Sequence, residues 1–147
     1  MKMKNLLIAL FLSVSFLSCN SDDSQNPNNN NPFLTTPAVN LSLSLNLPEY
    51  SPLKFPGNSV IINNHGIKGI VVFCINTDFY VAFELSDPNH VPNACSKMEV
   101  EGVIATCPCD DGNSYIITSG QHETDQSHYP MLQFRAERSG DTVHVFN

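Results

Sequence analysis

The side chains of this sequence that could do chemistry crowd into one stretch, residues 82 to 120. It carries Asp87, His90, Cys95, Cys107, Cys109 and Asp110. Two segments there each read as a loop following a strand. The first is Ser86-Asp87-Pro88-Asn89-His90-Val91-Pro92-Asn93-Ala94-Cys95. The second is Thr106-Cys107-Pro108-Cys109-Asp110-Asp111-Gly112-Asn113, with Tyr115 opening the next strand. Thiolates and imidazoles are ligands for softer metals, and carboxylates are harder donors. In an oxidising compartment, paired cysteines close disulfides instead. The chemistry open to this stretch is therefore metal binding, electron transfer through a metal, or cross-linking.

Candidates elsewhere are weaker. His65 sits in the turn Asn63-Asn64-His65-Gly66 and reads as solvated. His122 and His128 flank a polar run; with Asp125 they could form a metal patch, but such a loop reads first as exposed. His144 alternates on the terminal strand at a position that reads as exposed. Asp110-Asp111-Gly112-Asn113 has a faint likeness to a calcium loop, yet it lacks the closing Glu and reads as a turn. There is no Gly-x-Ser-x-Gly, no His-Glu-x-x-His and no Gly-rich phosphate loop. No nucleophile–base pair is visible, so the chain reads as a non-enzyme unless a redox centre is bound.

The elements that must position these residues read as strands. Val39, Leu41, Leu43, Leu45 and Leu47 alternate with polar residues, the pattern of a half-buried strand. Ser59 to Ile62 is a short strand. Gly69 to Ile75 is a β-branched run that turns through Asn76-Thr77-Asp78 into Phe79 to Leu85, a hairpin. Further strands are expected over Met98 to Cys107 and over Ser114 to Thr118. A closing hairpin pairs Leu132 to Glu137 with Thr142 to Phe146 across Ser139-Gly140-Asp141. No amphipathic helical stretch of useful length occurs, and turn signals recur at short spacing. The expected fold is all-β: a small antiparallel sandwich or barrel, in one domain over residues 39 to 147.

The N-terminal end reads as an address. Lys2 and Lys4 precede the apolar run Leu6 to Leu17, which has signal-peptide length and is short for a membrane span. Ser18-Cys19 follows and resembles the bacterial lipoprotein box, which implies cleavage after residue 18 and acylation of Cys19. Residues 19 to 38 then form an Asn-rich tether too polar to offset its own ordering entropy. As a flexible coil it would reach roughly 25 Å. The acidic Ser21-Asp22-Asp23 resembles the surface-export signal of Bacteroidota lipoproteins. Together these imply an outer-membrane lipoprotein, periplasmic or surface-exposed, whose partner is the membrane it is anchored in. The whole chain has 147 residues, 7 Lys+Arg and 14 Asp+Glu, a net charge of −7. Without Lys2 and Lys4 the balance is 5 basic against 14 acidic residues. That is the wrong sign for a nucleic-acid binder, which must neutralise phosphates.

The stretch from Gly66-Ile67-Lys68-Gly69 through Cys107-Pro108-Cys109 to Tyr129-Pro130-Met131 resembles the Rieske iron–sulfur domain. That family has two loops, Cys-x-His and Cys-x-x-His, about 15 to 17 residues apart. The second commonly reads Cys-Pro-Cys-His-Gly-Ser with an aromatic soon after. About 16 residues separate His90 from Cys107 here, and Tyr115 could be the aromatic. The resemblance covers roughly Leu45 to Phe146 and implies a [2Fe–2S] cluster held by two thiolates and two imidazoles.

Carried over residue by residue, the ligand set is degenerate. The second-loop thiolate matches Cys107, but its imidazole falls on Asp110. The first-loop thiolate falls on Asp87 and its imidazole on Asn89, with His90 one place beyond. Some Rieske proteins also tie the two loops with an extra cysteine in each. Cys109 sits at one such place and Cys95 lies somewhat downstream of the other, so the resemblance implies a Cys95–Cys109 disulfide. Cys74, in an apolar strand, reads as a buried small hydrophobe. Cys107 is left as a free thiol, a remnant ligand or a partner of Cys95. Two functions follow as expectations. One is a lipid-anchored structural or binding module that has lost the cluster and holds no cofactor. The other is an electron-transfer protein with a [2Fe–2S] or other metal centre on non-standard ligands.

Overall fold

A computed structural model describes residues 31–147. Among these residues the chain is all-β, with ten strands in two antiparallel sheets and one 3-10 turn at Ser51–Lys54. The strands are β1 (Asn40–Ser44), β2 (Ser59–Ile62), β3 (Ile70–Asn76), β4 (Phe79–Glu84), β5 (Glu99–Glu101), β6 (Ile104–Thr106), β7 (Ser114–Ile116), β8 (Gln121–His122), β9 (Gln133–Ser139) and β10 (Thr142–Phe146). Six of them form a body in the order β1-β10-β9-β4-β3-β2, and four form a smaller sheet in the order β5-β6-β7-β8.

The apolar patterns explain the layering. β1 alternates: Leu41 and Leu43 are buried while Asn40 and Ser42 face out. A strand wetted on one face requires that period of two. β3 does not alternate, because both its faces are covered. Ile70, Val72 and Cys74 join Leu41, Leu43, Val143, Val145 and Phe134 in one core. Val71 and Phe73 point the other way, into a second core with Val81, Phe83, Ala105, Tyr115 and Ile117. β3 and β4, paired with Val72 opposite Ala82, are therefore the wall between two cores. Over Ile70 to Cys74, where both faces of β3 are covered, every residue is accordingly apolar.

Fully buried Glu84 ends β4 at this wall. Its carboxylate accepts backbone N–H bonds from Ile67 (2.7 Å), Lys68 (2.7 Å) and Ser86 (3.0 Å). Burial pushes its pKa up, and those amides pull it partly back. Gly66 allows the approach: its φ is 76°, and a Cβ there would run into the Glu84 carboxylate.

Several expectations need correction. The stretch Met98 to Cys107 is not one strand. It breaks into β5 and β6, which pair Glu101 with Ile104 across the two-residue loop Gly102-Val103. Gly102 has φ 60°, the left-handed backbone that a tight hairpin loop asks of its first residue. β8 comes from a run expected to be a polar loop. The packed chain also begins earlier than Val39. Leu34 is buried in the first core, Asn31 Nδ2 donates to the Pro88 carbonyl (2.8 Å), and Asn147 bridges Val39 N and the Pro37 carbonyl. The segment 31 to 38 thus lies against the domain. Cys19, the expected signal peptide and most of the expected tether lie outside the described residues.

Candidate functional site

Two loops project from the junction of the sheets. The first leaves β4 and is closed at its base by Asp87 N–H to the Ser96 carbonyl (2.9 Å) and by a Ser86–Lys97 bridge. The second connects β6 to β7 and is closed by Cys107 N–H to the Asn113 carbonyl (2.9 Å). Because β6 and β7 pack against β4's second face, the two tips meet. They are joined covalently by a Cys95–Cys109 disulfide with Cα atoms 5.1 Å apart. Cys74 and Cys107 are free and buried.

The interior of the tip is polar and hydrogen-bonded. Asp87 is fully buried. Its Oδ1 accepts from the Asn89 amide (2.7 Å) and from the Tyr115 hydroxyl (3.0 Å), and its Oδ2 accepts from Asn113 Nδ2 (3.1 Å). Asn89 is similarly committed. Its Nδ2 donates to the Tyr115 hydroxyl (2.8 Å) and the Tyr129 carbonyl (2.9 Å), and its Oδ1 accepts from Tyr129 N–H (2.9 Å). A buried carboxylate with three donors meets the condition for keeping such a group inside. Burial raises the Tyr115 pKa; the bond from Asn89 opposes this, and nearby Asp87 adds to it.

On the outer side of this network, four side chains converge. His90 Nε2 lies 3.4 Å from Cys107 Sγ, 3.3 Å from Asp111 Oδ2 and 3.8 Å from Asp87 Oδ2. One donor atom from each of His90, Cys107, Cys109 and Asp111 falls within a 4.8 Å spread. His90 Nδ1 lies 3.1 Å from the Val91 carbonyl. Both ring nitrogens thus face acceptors, Nδ1 the Val91 carbonyl and Nε2 the Asp111 carboxylate. Burial pushes the Cys107 thiol up to about 12; a backbone N–H bond from Cys109 works against this, and the charges of Asp87 and Asp111 reinforce it.

The expected site residues are distributed as follows. Asp87 is in the buried network, His90 and Cys107 face each other, and Cys95 and Cys109 are bonded together. Asp110 is exposed with φ 61°, and the carboxylate beside His90 belongs to its neighbour Asp111. A left-handed residue in the turn swings one aspartate out and brings the next one in. The sequence placed Asn89 at a lost imidazole position and Asp111 and Asn113 in a simple turn, and offered none of the three as a working side chain. The Asp-Asp pair was a signal, but a one-residue ambiguity in a turn decides which aspartate points inward. His122 is buried on β8, against the expectation of exposure, with its ring edge-on to Tyr115 (5.2 Å) and stacked on His128 (4.3 Å). Its Nδ1 accepts the amides of Thr124 (3.3 Å) and Asp125 (3.1 Å). The ring proton then sits on Nε2, which removes that nitrogen as a metal ligand. Backbone and side-chain bonds from Ser127 hold the Asp125 pKa down.

These residues do not fit a [2Fe–2S] cluster of the Rieske kind. The positions resembling its ligands supply one thiol, Cys107, and one displaced imidazole, His90. Asp87 and Asn89 are spent on internal bonds, and the other thiol of the second loop is in a disulfide.

No family model matches the chain, and no curated protein does. Among solved structures, it is similar to a chain from a complex of reduced oxygenase and oxidized ferredoxin in carbazole 1,9a-dioxygenase (TM-score 0.47, 16% identity, 76% of this chain and 94% of that one). It is also similar to the E. coli protein NirD (TM-score 0.45, 14% identity, 77% and 98%). A third is Sphingomonas yanoikuyae B1 ferredoxin (TM-score 0.43, 15% identity, 63% and 88%). Likeness at this level leaves the chemistry to be read from the residues themselves.

Proposed function

We propose that this chain is a Rieske-like module of the cell envelope that keeps the two-loop tip and closes it with a disulfide where the family holds a cluster. It serves as a structural or binding domain, tethered to the outer membrane through an acylated Cys19. The observation that carries this reading is the fate of the first-loop ligand positions. Asp87 and Asn89 each use their side chains to knit the tip together, and Cys95–Cys109 links its two halves. A pair of irons is redundant as a clasp in such a tip.

The test is metal content and melting behaviour of the full chain, produced where iron–sulfur assembly operates. The expected protein is colourless and free of iron. Its melting temperature falls with a reductant and does not move with a chelator. Stoichiometric iron with a visible absorption band would overturn the reading. A second reading, electron transfer through a metal on non-standard ligands, is favoured by the facing of His90 and Cys107. The same iron measurement decides between the two.

A further inference from the structure

We propose that the tip holds a redox-gated site for a borderline-soft divalent cation of the zinc class. Its ligands are His90 Nε2, Cys107 Sγ and Asp111 Oδ2, with Cys109 Sγ as the fourth once the Cys95–Cys109 disulfide is reduced. The inference rests on the reading of the tip as two clasped loops.

Geometry is the first support. Tetrahedral zinc binds N, O and S at about 2.0–2.3 Å, so its donors lie about 3.3–3.8 Å apart. His90 Nε2 is 3.4 Å from Cys107 Sγ and 3.3 Å from Asp111 Oδ2, so two edges of the polyhedron already have the right length. The second support is the imidazole's other face. Nδ1 faces the Val91 carbonyl, the kind of outer partner usual for metal-binding histidines, and holds the ring with Nε2 turned to the cluster. The third is donor chemistry: two sulfurs, one nitrogen and one oxygen select zinc over magnesium or calcium.

The gate follows from Cys109. A disulfide sulfur has no thiolate to offer, and the thiolate is the metal ligand. The oxidised tip therefore presents three donors and the reduced tip four. The step balances with a dithiol reductant. The dithiol gives two electrons and two protons, becomes a disulfide itself, and leaves Cys95 and Cys109 as thiols. Cation binding then displaces the protons of Cys107 and Cys109 into solvent. His90 belongs to the first loop, and Cys107, Cys109 and Asp111 to the second. The cation thus spans the same gap as the disulfide and replaces it as the clasp.

The test compares the full chain in its oxidised form with the chain reduced by a phosphine, which becomes phosphine oxide and competes little for metal. Cobalt(II) and zinc(II) salts are the probes. The reduced chain is expected to bind one cobalt at least about tenfold more tightly, a change of about 1.4 kcal/mol. Its thiolate-to-cobalt charge-transfer band should be about twice as intense per bound metal as in the oxidised chain, which is the consequence of one thiolate becoming two. Zinc should restore part of the melting temperature lost on reduction. In His90→Ala and in Asp111→Asn the zinc-dependent recovery should disappear. Equal affinity in both redox states, or full recovery in both variants, would overturn the proposal. If reduction leaves the melting temperature unchanged, the clasp reading fails, and the cobalt band by itself still decides the metal site.

Discussion

The body and the tip of this domain are held together by different physics. In the six-stranded body, β3 and β4 separate two apolar cores, and the groups that meet there are Val, Ile, Leu, Phe and Tyr side chains. At the tip the contacts are made by a buried carboxylate, two amides, a phenol and a disulfide that is partly exposed. Burial of apolar area is indifferent to redox potential and nearly so to pH. A disulfide and a buried carboxylate network are not. The body is therefore the insensitive scaffold, and the tip is the part of the molecule that can respond to its surroundings. Glu84 stands at the boundary, with its carboxylate tying the end of β4 to the Ile67-Lys68 backbone and to Ser86 at the root of the first loop.

The contrast can be broken by substitution. The largest effect is expected in the body: Phe134→Ala removes a buried ring from the first core and should cost about 3–5 kcal/mol in denaturant unfolding, equally under oxidising and reducing conditions. A loss that depended on redox state would show that the two regions are coupled. Next is the tip's cross-link. Cys95→Ser with Cys109→Ser opens a loop with a sequence separation of 14 and should cost about 3 kcal/mol. That loss should match the effect of reductant on the unchanged chain, and a clear mismatch would place the reductant's action elsewhere. Smaller again is Asp87→Ala, which strands the Tyr115 hydroxyl, Asn113 Nδ2 and the Asn89 amide. We expect about 2 kcal/mol, seen as faster amide exchange over residues 87 to 96 and 107 to 113. No change in exchange there would make the network incidental.

The remaining prediction concerns pH and the second loop's free thiol. The Cys107 thiol is raised from 9.0 to about 12, so the folded tip holds that proton more tightly than the unfolded chain does. Its contribution to stability is full below about pH 9 and is lost as pH rises toward 12. Stability measured across that window should decline less in Cys107→Ser. A decline of the same size in the variant would assign the alkaline sensitivity to other groups.

Much of the body was legible in the sequence. Ser59–Ile62 reads directly as a strand, and the β3–β4 and β9–β10 hairpins follow from apolar runs broken by Asn-Thr-Asp and Ser-Gly-Asp. Legibility fell where an element was short or its turn carried an apolar residue. Gly102-Val103 hid the β5–β6 hairpin because Val103 continues the apolar run. β8 escaped because two residues carry no period. Leu34 was hidden by its polar neighbours, since a single apolar residue in such a segment gives no pattern. In the site, the residue types were visible and the partnerships were not: spacing offered Asp110 as readily as Asp111, and nothing local joined Asn89 to Tyr129, forty residues away.

The sequence by itself determined the all-strand character of this protein, its acidic charge, and the presence of sulfur, imidazole and carboxylate in two neighbouring loops. These are properties of composition and of short-range periodicity, and the local chain carries them in full. Tertiary structure decided which of those groups share a site. Asp111 faces His90 because Asp110 adopts a left-handed backbone that turns its own side chain outward. Asp87 is buried with its partners because β6 and β7 lie across β4 and bring Asn113 and Tyr115 over it. Such meetings depend on the summed directions of many backbone bonds between distant residues, and no window along the chain contains that sum.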